Sequence, residues 1–448
     1  MAASTSKQDV AFIQAALQEV GKDTQAQFNG YQLQSVFQSI ICVNQGKTIG
    51  YEGLLRAHDE HGAPVSPQHV FKHTNSMNKT VFLDRLCRAM HLQNFAKLGL
   101  DDHWIFLNIN PQVIIQGSRF GAFFREFLAE VPFPAERIVI EVLERNVANE
   151  EALAEAITYY RNIGCLIAVD DFGAGHSNFN RLWALMPDIV KLDRSLLLRA
   201  LQQPNHYYLL SRIVSLIHDT GAQALMEGVE TEEEALIALD AGVDLVQGYL
   251  FDKPKPLTQM AETDQVASSF EPFLSRFQTY THVRLKQYRQ SGQSYMDAFK
   301  AAITQIMQGQ PILQVSEWLF LMSNVSCCYM LDSQGSQLGD IFTNPKFCIP
   351  TRPAALRMFE NNINWVRREY FQRAIVIPDQ LHVTRPYVSR ATARICVTLS
   401  QVINCPAGEW VFCCDIDLDG PTSAKVISGS SELPTDPNGD YPATACSA

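Results

Sequence analysis

Short runs of apolar, mostly β-branched residues recur between Tyr31 and Phe251, and the stretches between them return an apolar residue every three or four positions. Eight such runs can be read: "FQSIICV", "GYEGLL", "WIFLNIN", "IVIEVLE", "LIAVDD", "DIVKLD", "AQALMEGVE" and "LVQGYLF". Each has the length and residue types of a strand. Intervening segments such as "NEEALAEAITYYRNIG" and "QPNHYYLLSRIVSLIHDTG" are amphipathic at the helical period and end at a glycine, the usual helix terminator. Strand–helix alternation predicts a parallel sheet. The first two runs are joined only by "NQGKT", too short for a parallel crossover, so they predict an antiparallel hairpin. The sum is an α/β protein: a modified (β/α)8 TIM-like barrel with an antiparallel first strand, over residues 25–260. Residues 8–20 carry helical periodicity and predict a leading helix within an N-terminal segment 1–24.

The repeat stops after "QGYLFDKPKP", where Pro254 and Pro256 mark the end of the barrel. Residues 261–308 read as a helical connector. From 309 to 420 the pattern predicts a second, α+β domain with an antiparallel sheet drawn from "CCYMLDSQGSQLG", "HVTRPYVSR", "ARICVTLSQVI" and "EWVFCCDIDL". Residues 421–448, rich in Gly, Ser, Pro and Asp, predict a disordered tail.

Composition narrows the chemistry. The chain has 448 residues, 46% of them hydrophobic, enough for two folded units. Its formal charge of −11 excludes a general nucleic-acid binder, whose phosphate partner demands basic surface. A small anionic ligand remains open, because bound cations can neutralise it locally. The start "MAASTSKQDV" lacks a basic segment followed by an apolar run, so no secretory leader is expected. The most apolar stretch, "VSEWLFLMSNVSCCYML", is broken by polar residues and short for a membrane span. The 11 cysteines show no Cys-x-x-Cys spacing and sit in apolar runs, as at Cys42, Cys165 and Cys396. They read as buried thiols in a reducing cytoplasm, neither zinc ligands nor disulfides.

One polar side chain stands near the C-terminal end of run after run: Asn108, Glu141, Asp170 with Asp171, Lys191, Glu227 and Gln247. Singly, each reads as a structural polar residue. In register on successive strands they define one rim of a barrel, the face where such folds carry their active sites. Glu52, in the second arm of the hairpin, reaches the same rim. Carboxylates and an amide are hard oxygen ligands suited to Mg²⁺ or Mn²⁺. Two such ions would offset the repulsion between Asp170 and Asp171 and activate water against a phosphodiester. A lysine in the same rim would orient or deprotonate that water and screen developing charge.

These segments resemble a known family. "YEGLLR" resembles the E-x-L-x-R signature of the EAL-domain cyclic di-GMP phosphodiesterases, and "LNIN", "IEVLE", "DDFGAGHSN", "PDIVKLDRS", "EGVET" and "QGYLFDKP" follow in that family's order. The resemblance covers about residues 25–260 and implies hydrolysis of cyclic di-GMP to linear pGpG with two Mg²⁺ or Mn²⁺ ions. It implies that Glu52, Asn108, Glu141 and Asp170 are metal ligands, with Asp171 and Glu227 completing the metal site. Lys191 matches the water-positioning lysine, Arg56 a substrate-phosphate contact with Leu55 beside it, and Gln247 an active-site glutamine. Glu230 matches the supporting acid of "EGVET" and Glu144 the one that anchors the loop after Asp171. Three positions depart from the usual pattern: Gly53 for an alanine, Ala174 for a threonine and His176 for a tyrosine. The last two lie in the loop that the family associates with dimer-linked activation, and the resemblance implies a homodimer.

The C-terminal segments resemble PAS-like or Cache-like sensor domains, which implies an unidentified ligand; Arg385, Tyr387 and Asp417 are candidates to line its pocket, or polar residues of a solvated sheet face. A non-catalytic cyclic di-GMP receptor, an EAL-type interaction scaffold and a different metallophosphodiesterase on the same barrel are the competing readings. No G-G-D-E-F motif is present, so synthesis of the dinucleotide is not expected.

Overall fold

The computed structural model describes residues 2–418 except 101, 116–122, 132, 144–149, 176–181, 183, 203, 263, 348–363, 390–391, 393 and 406–407. Glu144, His176 and the segment 421–448 lie outside the described residues. The chain divides into two compact units, Met1–Thr279 and Tyr280–Ala448.

In the first unit, eight strands form a closed barrel: β1 (Tyr31–Cys42), β2 (Lys47–His58), β3 (Trp104–Ile109), β4 (Ile138–Leu143), β5 (Leu166–Phe172), β6 (Ile189–Leu192), β7 (Gln223–Met226) and β8 (Leu245–Val246). From β2 to β8 neighbours are parallel, whereas β1 pairs antiparallel with β2 on one side and with β8 on the other. The hairpin in the sequence therefore becomes the seam of the barrel, with Gln38 opposite Glu52 and Ile41 opposite Val246.

Strand side chains alternate between faces, and the barrel interior is built on that period. Ile40, Phe106, Val139, Ala168, Ile189, Leu225 and Leu245 form one buried apolar cluster inside the barrel, one residue from each of seven strands. Outward residues of the same strands, such as Leu107, Ile140 and Ile167, pack with Leu86, Met90 and Phe95 of the helix Met77–Ala96. On the other side Val190, Leu192 and Met226 pack with Leu197, Leu210, Val214 and Ile217 of the helices Arg194–Gln202 and Pro204–Asp219. A strand buried on both faces must be apolar throughout. That is why the runs stand out in the sequence.

Two boundaries differ from the sequence reading. The leading helix spans Ala2–Ala16, and Leu17–Val20 is a strand paired with Asp23–Phe28, the first turn of an antiparallel extension of β1. Lys255–Pro256 pairs once more with Val36 and Phe37 of β1 before the chain leaves the barrel. The connector is a single helix, Asp264–Met307. It places Phe273 in the core of the first unit and Phe299, Ala302 and Ile303 in the core of the second.

The second unit is an antiparallel sheet of β9 (Val325–Asp332), β10 (Gln337–Thr343), β11 (His382–Val383), β12 (Tyr387–Val388), β13 (Ile395–Cys405) and β14 (Gly408–Asp417), in the order β10-β9-β14-β13-β11 with β12 beside β13. Pro386 splits the expected "HVTRPYVSR" strand into β11 and β12, since proline cannot donate to a ladder. One face packs Cys328, Met330, Phe412 and Cys414 on the connector and on the helix Ile312–Leu319. The other packs Tyr329, Leu331, Val411 and Cys413 on Trp365 and on Tyr370, Phe371 and Ala374 of the helix Glu369–Val376. Cys42, Cys87, Cys165, Cys327, Cys328, Cys396, Cys413 and Cys414 are free thiols, all but half-buried Cys42 buried. Among the described residues no helix is long and apolar enough to cross a membrane.

Candidate active site

Two residues beyond each interior apolar residue, on the same face of the same strand, stands a polar one. Phe106 leads to Asn108, Val139 to Glu141, Ala168 to Asp170, Ile189 to Lys191, Leu225 to Glu227 and Leu245 to Gln247. On antiparallel β1 the direction reverses, so Ile40 leads back to Gln38, which faces Glu52 of β2. Eight strands thus contribute one polar side chain each to a layer directly above the apolar plug. The period of two, carried round a closed sheet, is what gathers residues spread over two hundred positions.

Lys191 sits at the centre, with 1% of its side chain exposed. Its Nζ lies 2.5 Å from Glu141 Oε1, 2.7 Å from Glu227 Oε1, 3.3 Å from Asp170 Oδ1 and 3.7 Å from Glu52 Oε1. Burial disfavours the ammonium, but the carboxylates, Asp170 foremost, hold its pKa well above the ordinary value. These carboxylates hold Lys191 as the ammonium. Glu52 is held by two amides: Asn108 Nδ2 donates to Oε1 at 2.9 Å and Gln247 Nε2 to Oε2 at 2.8 Å. Burial raises its pKa, but Lys191 and those donors leave it below the usual carboxylate range. Burial drives Glu141 well above that range and takes Glu227 up to about 8.

One ammonium faces four carboxyl groups, Glu52, Glu141 and Asp170 buried and Glu227 partly so, an imbalance that costs heavily unless protons or cations make it up. Two features fit cations. Asp170, Asp171 and Glu227 can each direct an oxygen to within 4.8 Å of the others. Both oxygens of Glu141 are buried, and the Lys191 ammonium that Oε1 meets is shared with three other carboxyl groups. The donor set is oxygen throughout, the preference of Mg²⁺ and Mn²⁺.

The turn after β5 presents the Asp pair. Asp171 adopts φ +59°, a left-handed conformation that aspartate tolerates, and its N–H donates to Asp170 Oδ1 at 2.9 Å. Gly173 follows at φ +98°, and a Cβ there would lie 2.4 Å from Leu196 Cδ1, so glycine is required on both counts. On the far side of β3, Asp84 Oδ1 accepts the Asn110 N–H at 2.8 Å while its Oδ2 pairs with Arg88 at 2.6 Å, fixing the strand end that carries Asn108.

Other expected residues stand apart from the cluster. Arg56 lies four residues beyond Glu52 on the same strand face, its Nη1 donating to Leu55 O at 3.0 Å. Leu55 points the other way into the core between barrel and helices, so its side chain is not part of the site. Glu230 pairs with Arg194, which also binds Glu234 at 2.9 Å, and it braces the loop after β7 from outside the carboxylate cluster. Gly53 faces outward against His91, where a Cβ would come within 3.1 Å of His91 Cβ. Buried His91 bonds Ser35 Oγ at 2.8 Å, and burial lowers its pKa to about 4. In the second unit Arg385 is exposed and Asp417 is fully buried 3.5 Å from Arg394. Neither lines the cavity found there, which Tyr387 does line.

Sequence reasoning missed Gln38. Its Nε2 donates to Asp252 O at 3.0 Å while its Oε1 accepts from Gln247 Nε2 at 3.2 Å, closing the ring across the seam. The signal was a long polar side chain in the mostly apolar "FQSIICV", two positions from Ile40.

The family described as the EAL domain matches residues 22–254. The chain is 28% identical over 233 residues to the cyclic di-GMP phosphodiesterase RocR of Pseudomonas aeruginosa, a match covering 50% of this chain and 58% of that protein. Over 349 residues it is 25% identical to YkuI of Bacillus subtilis, described as an uncharacterized EAL-domain containing protein, covering 76% of this chain and 83% of the other. A crystal structure of YkuI in complex with substrate c-di-GMP and calcium superposes with a TM-score of 0.70 at 22% identity, covering 86% of this chain and 96% of that one. That likeness extends the shared fold beyond the barrel.

Proposed function

The chain belongs to the EAL-domain family, the match taking in more than half of its length, and from that premise we propose that the barrel hydrolyses cyclic di-GMP to linear pGpG. The observation that carries the reading is the buried layer in which four carboxyl groups converge on Lys191, with Asp171 completing a three-carboxylate group at its edge. We assign Glu52, Asn108, Glu141, Asp170, Asp171 and Glu227 as ligands of two Mg²⁺ or Mn²⁺ ions. When bound, the ions polarise the attacking water and stabilise the leaving oxygen of the phosphodiester.

The side chains supply the rest. Asn108 and Gln247 fix both oxygens of Glu52, so that carboxylate keeps one orientation. Lys191, held as a cation by the carboxylates, orients the water and meets charge that builds on the phosphate in the transition state. Arg56, on the same face as Glu52 and further along β2, contacts a substrate phosphate. Gln247 also faces the substrate. Glu230 acts through Arg194 on the loop after β7. The second unit modulates the rate in response to a ligand of its own, which works only through unequal affinity for two states of the protein.

The chain spans 58% of RocR's length, so the product assay decides the activity. Purified protein incubated with cyclic di-GMP and Mg²⁺ or Mn²⁺ should yield pGpG on chromatography, and Glu52→Gln should yield none while keeping its circular dichroism. Tight binding of cyclic di-GMP with no turnover under either ion would favour a receptor instead.

A further inference from the structure

A side-chain amide has a donor end and an acceptor end of nearly equal shape, so packing alone does not choose between its two orientations. Gln247 faces that choice beside Glu52. Turned one way, its Nε2 donates to Glu52 Oε2 at 2.8 Å. Turned the other way, it would set a carbonyl oxygen against a carboxylate that only accepts. The choice is made outside the carboxylate cluster. Gln38, opposite Glu52 across the antiparallel ladder, donates from Nε2 to the main-chain oxygen of Asp252 at 3.0 Å. A peptide carbonyl only accepts, so it takes the NH₂ end of Gln38 and turns Oε1 the other way. That oxygen accepts from Gln247 Nε2 at 3.2 Å, which leaves the second N–H of Gln247 for Glu52. Gln247 Oε1 is buried and accepts no hydrogen bond from a described residue, so this amide is oriented from its nitrogen end alone.

The origin of the series is itself held. Asp252 is buried, its N–H donates to Gly248 O at 3.1 Å, and its carboxylate pairs with Lys255 Nζ at 2.7 Å. Lys255 and Pro256 then pair with Phe37 and Val36, the two residues before Gln38 on β1. The Asp252 carbonyl therefore stands at a fixed place relative to that strand. Resting on the assignment of Glu52 as an ion ligand, we propose that Gln38 is a positioning residue. It takes its orientation from the Asp252 carbonyl and passes it through Gln247, so that Glu52 is held as the ion requires. Removing a group that orients a metal ligand typically costs about 10–100-fold in affinity or activity. Gln38 acts at one remove, through Gln247, so its loss belongs at the lower end of that range.

The test titrates the metal-free full chain with Mn²⁺, the free ion being read by electron paramagnetic resonance. It uses no cyclic di-GMP, so absent hydrolysis is a separate result from a failed relay. Gln38→Met keeps the length of the side chain, loses both hydrogen bonds, and should weaken Mn²⁺ about tenfold. Gln247→Met should weaken it at least as much. Adding Gln38→Met to Gln247→Met should then change the affinity less than about twofold, because Gln38 acts only through Gln247. Losses that multiply in the double variant would mean a general loosening of the seam and would overturn the proposal. An unaltered affinity in Glu52→Gln would remove the ligand assignment and the relay with it. A loss in Glu52→Gln with none in Gln38→Met would overturn the relay alone. Should Gln38→Met not fold, neutron diffraction from crystals of the unaltered chain tests the same relay, since it tells amide nitrogen from oxygen. Deuterium is expected between Gln38 Nε2 and Asp252 O and between Gln247 Nε2 and Glu52. An amide oxygen at either place would overturn the proposal.

Discussion

Lys191 shows how surroundings set the task of a side chain. Four carboxyl groups hold the lysine proton more tightly than water does, which favours a positional and electrostatic contribution. Lys191→Met should therefore lower kcat by about 10²–10³-fold with KM little changed, as steady-state rates would show. A raised KM with normal kcat would assign it to ground-state binding instead. The same crowding links cations to protons. Glu227, raised to about 8, favours its protonated form near neutral pH while no ion is bound, and burial pushes Glu141 in the same direction. Ligation needs them ionised, so binding Mn²⁺ should release protons, and affinity should rise with pH up to about 8. Titrations in two buffers of different ionisation enthalpy measure the release; equal heats would contradict it.

At the level of strands and turns, the candidate site was legible wherever an apolar run ended in one polar residue. Asn108, Glu141, Asp170, Lys191, Glu227 and Gln247 stood out because parallel strands buried on both faces carry few polar residues at all. Gln38 did not, because β1 runs backwards and puts its polar residue before the interior one. The second unit was less legible: "HVTRPYVSR" marked a sheet, but which residues line its cavity depends on sheet order and on Trp365 and Arg368, outside any strand. Gly173→Ala tests the turn after β5. Its φ of +98° and the clash with Leu196 should together cost about 1–3 kcal/mol in denaturant unfolding. Adding Leu196→Ala should relieve the clash but not the backbone strain. Gly53 and His91 form a second local match, a missing Cβ making room for a buried imidazole. With its folded pKa near 4 against about 6.5 unfolded, His91 gives stability that is complete above about pH 6.5 and lost as pH falls towards 4. His91→Asn should show a shallower fall in Tm over that window than the parent protein.

For the molecule as a whole, the shared connector decides where the barrel can be cut. Ending the chain at Pro256 would strip Phe273 from the first core and Arg276 from its 2.8 Å pair with Glu232. Ending it at Thr279 keeps both. The longer truncation should fold and turn over cyclic di-GMP unaided, whereas the shorter should be less stable by about 3 kcal/mol or more, the usual cost of losing a buried phenylalanine. A folded chain ending at Thr279, inactive with either ion while the full chain is active, would mean the second unit supplies a reacting group. The seam has a different consequence, for synthesis. Strand β1 cannot find β8 until the chain is made to Val246, and the bonds that finish the polar layer, Gln247 to Glu52 and Gln38 to Asp252, join positions 195 and 214 residues apart. On the ribosome β1 therefore waits with one ladder edge unpaired, the condition that invites pairing with another chain. Closing so long a loop is slow. Backbone order in a nascent or refolding chain should run ahead of ion binding, because the site is the last part of the barrel to exist.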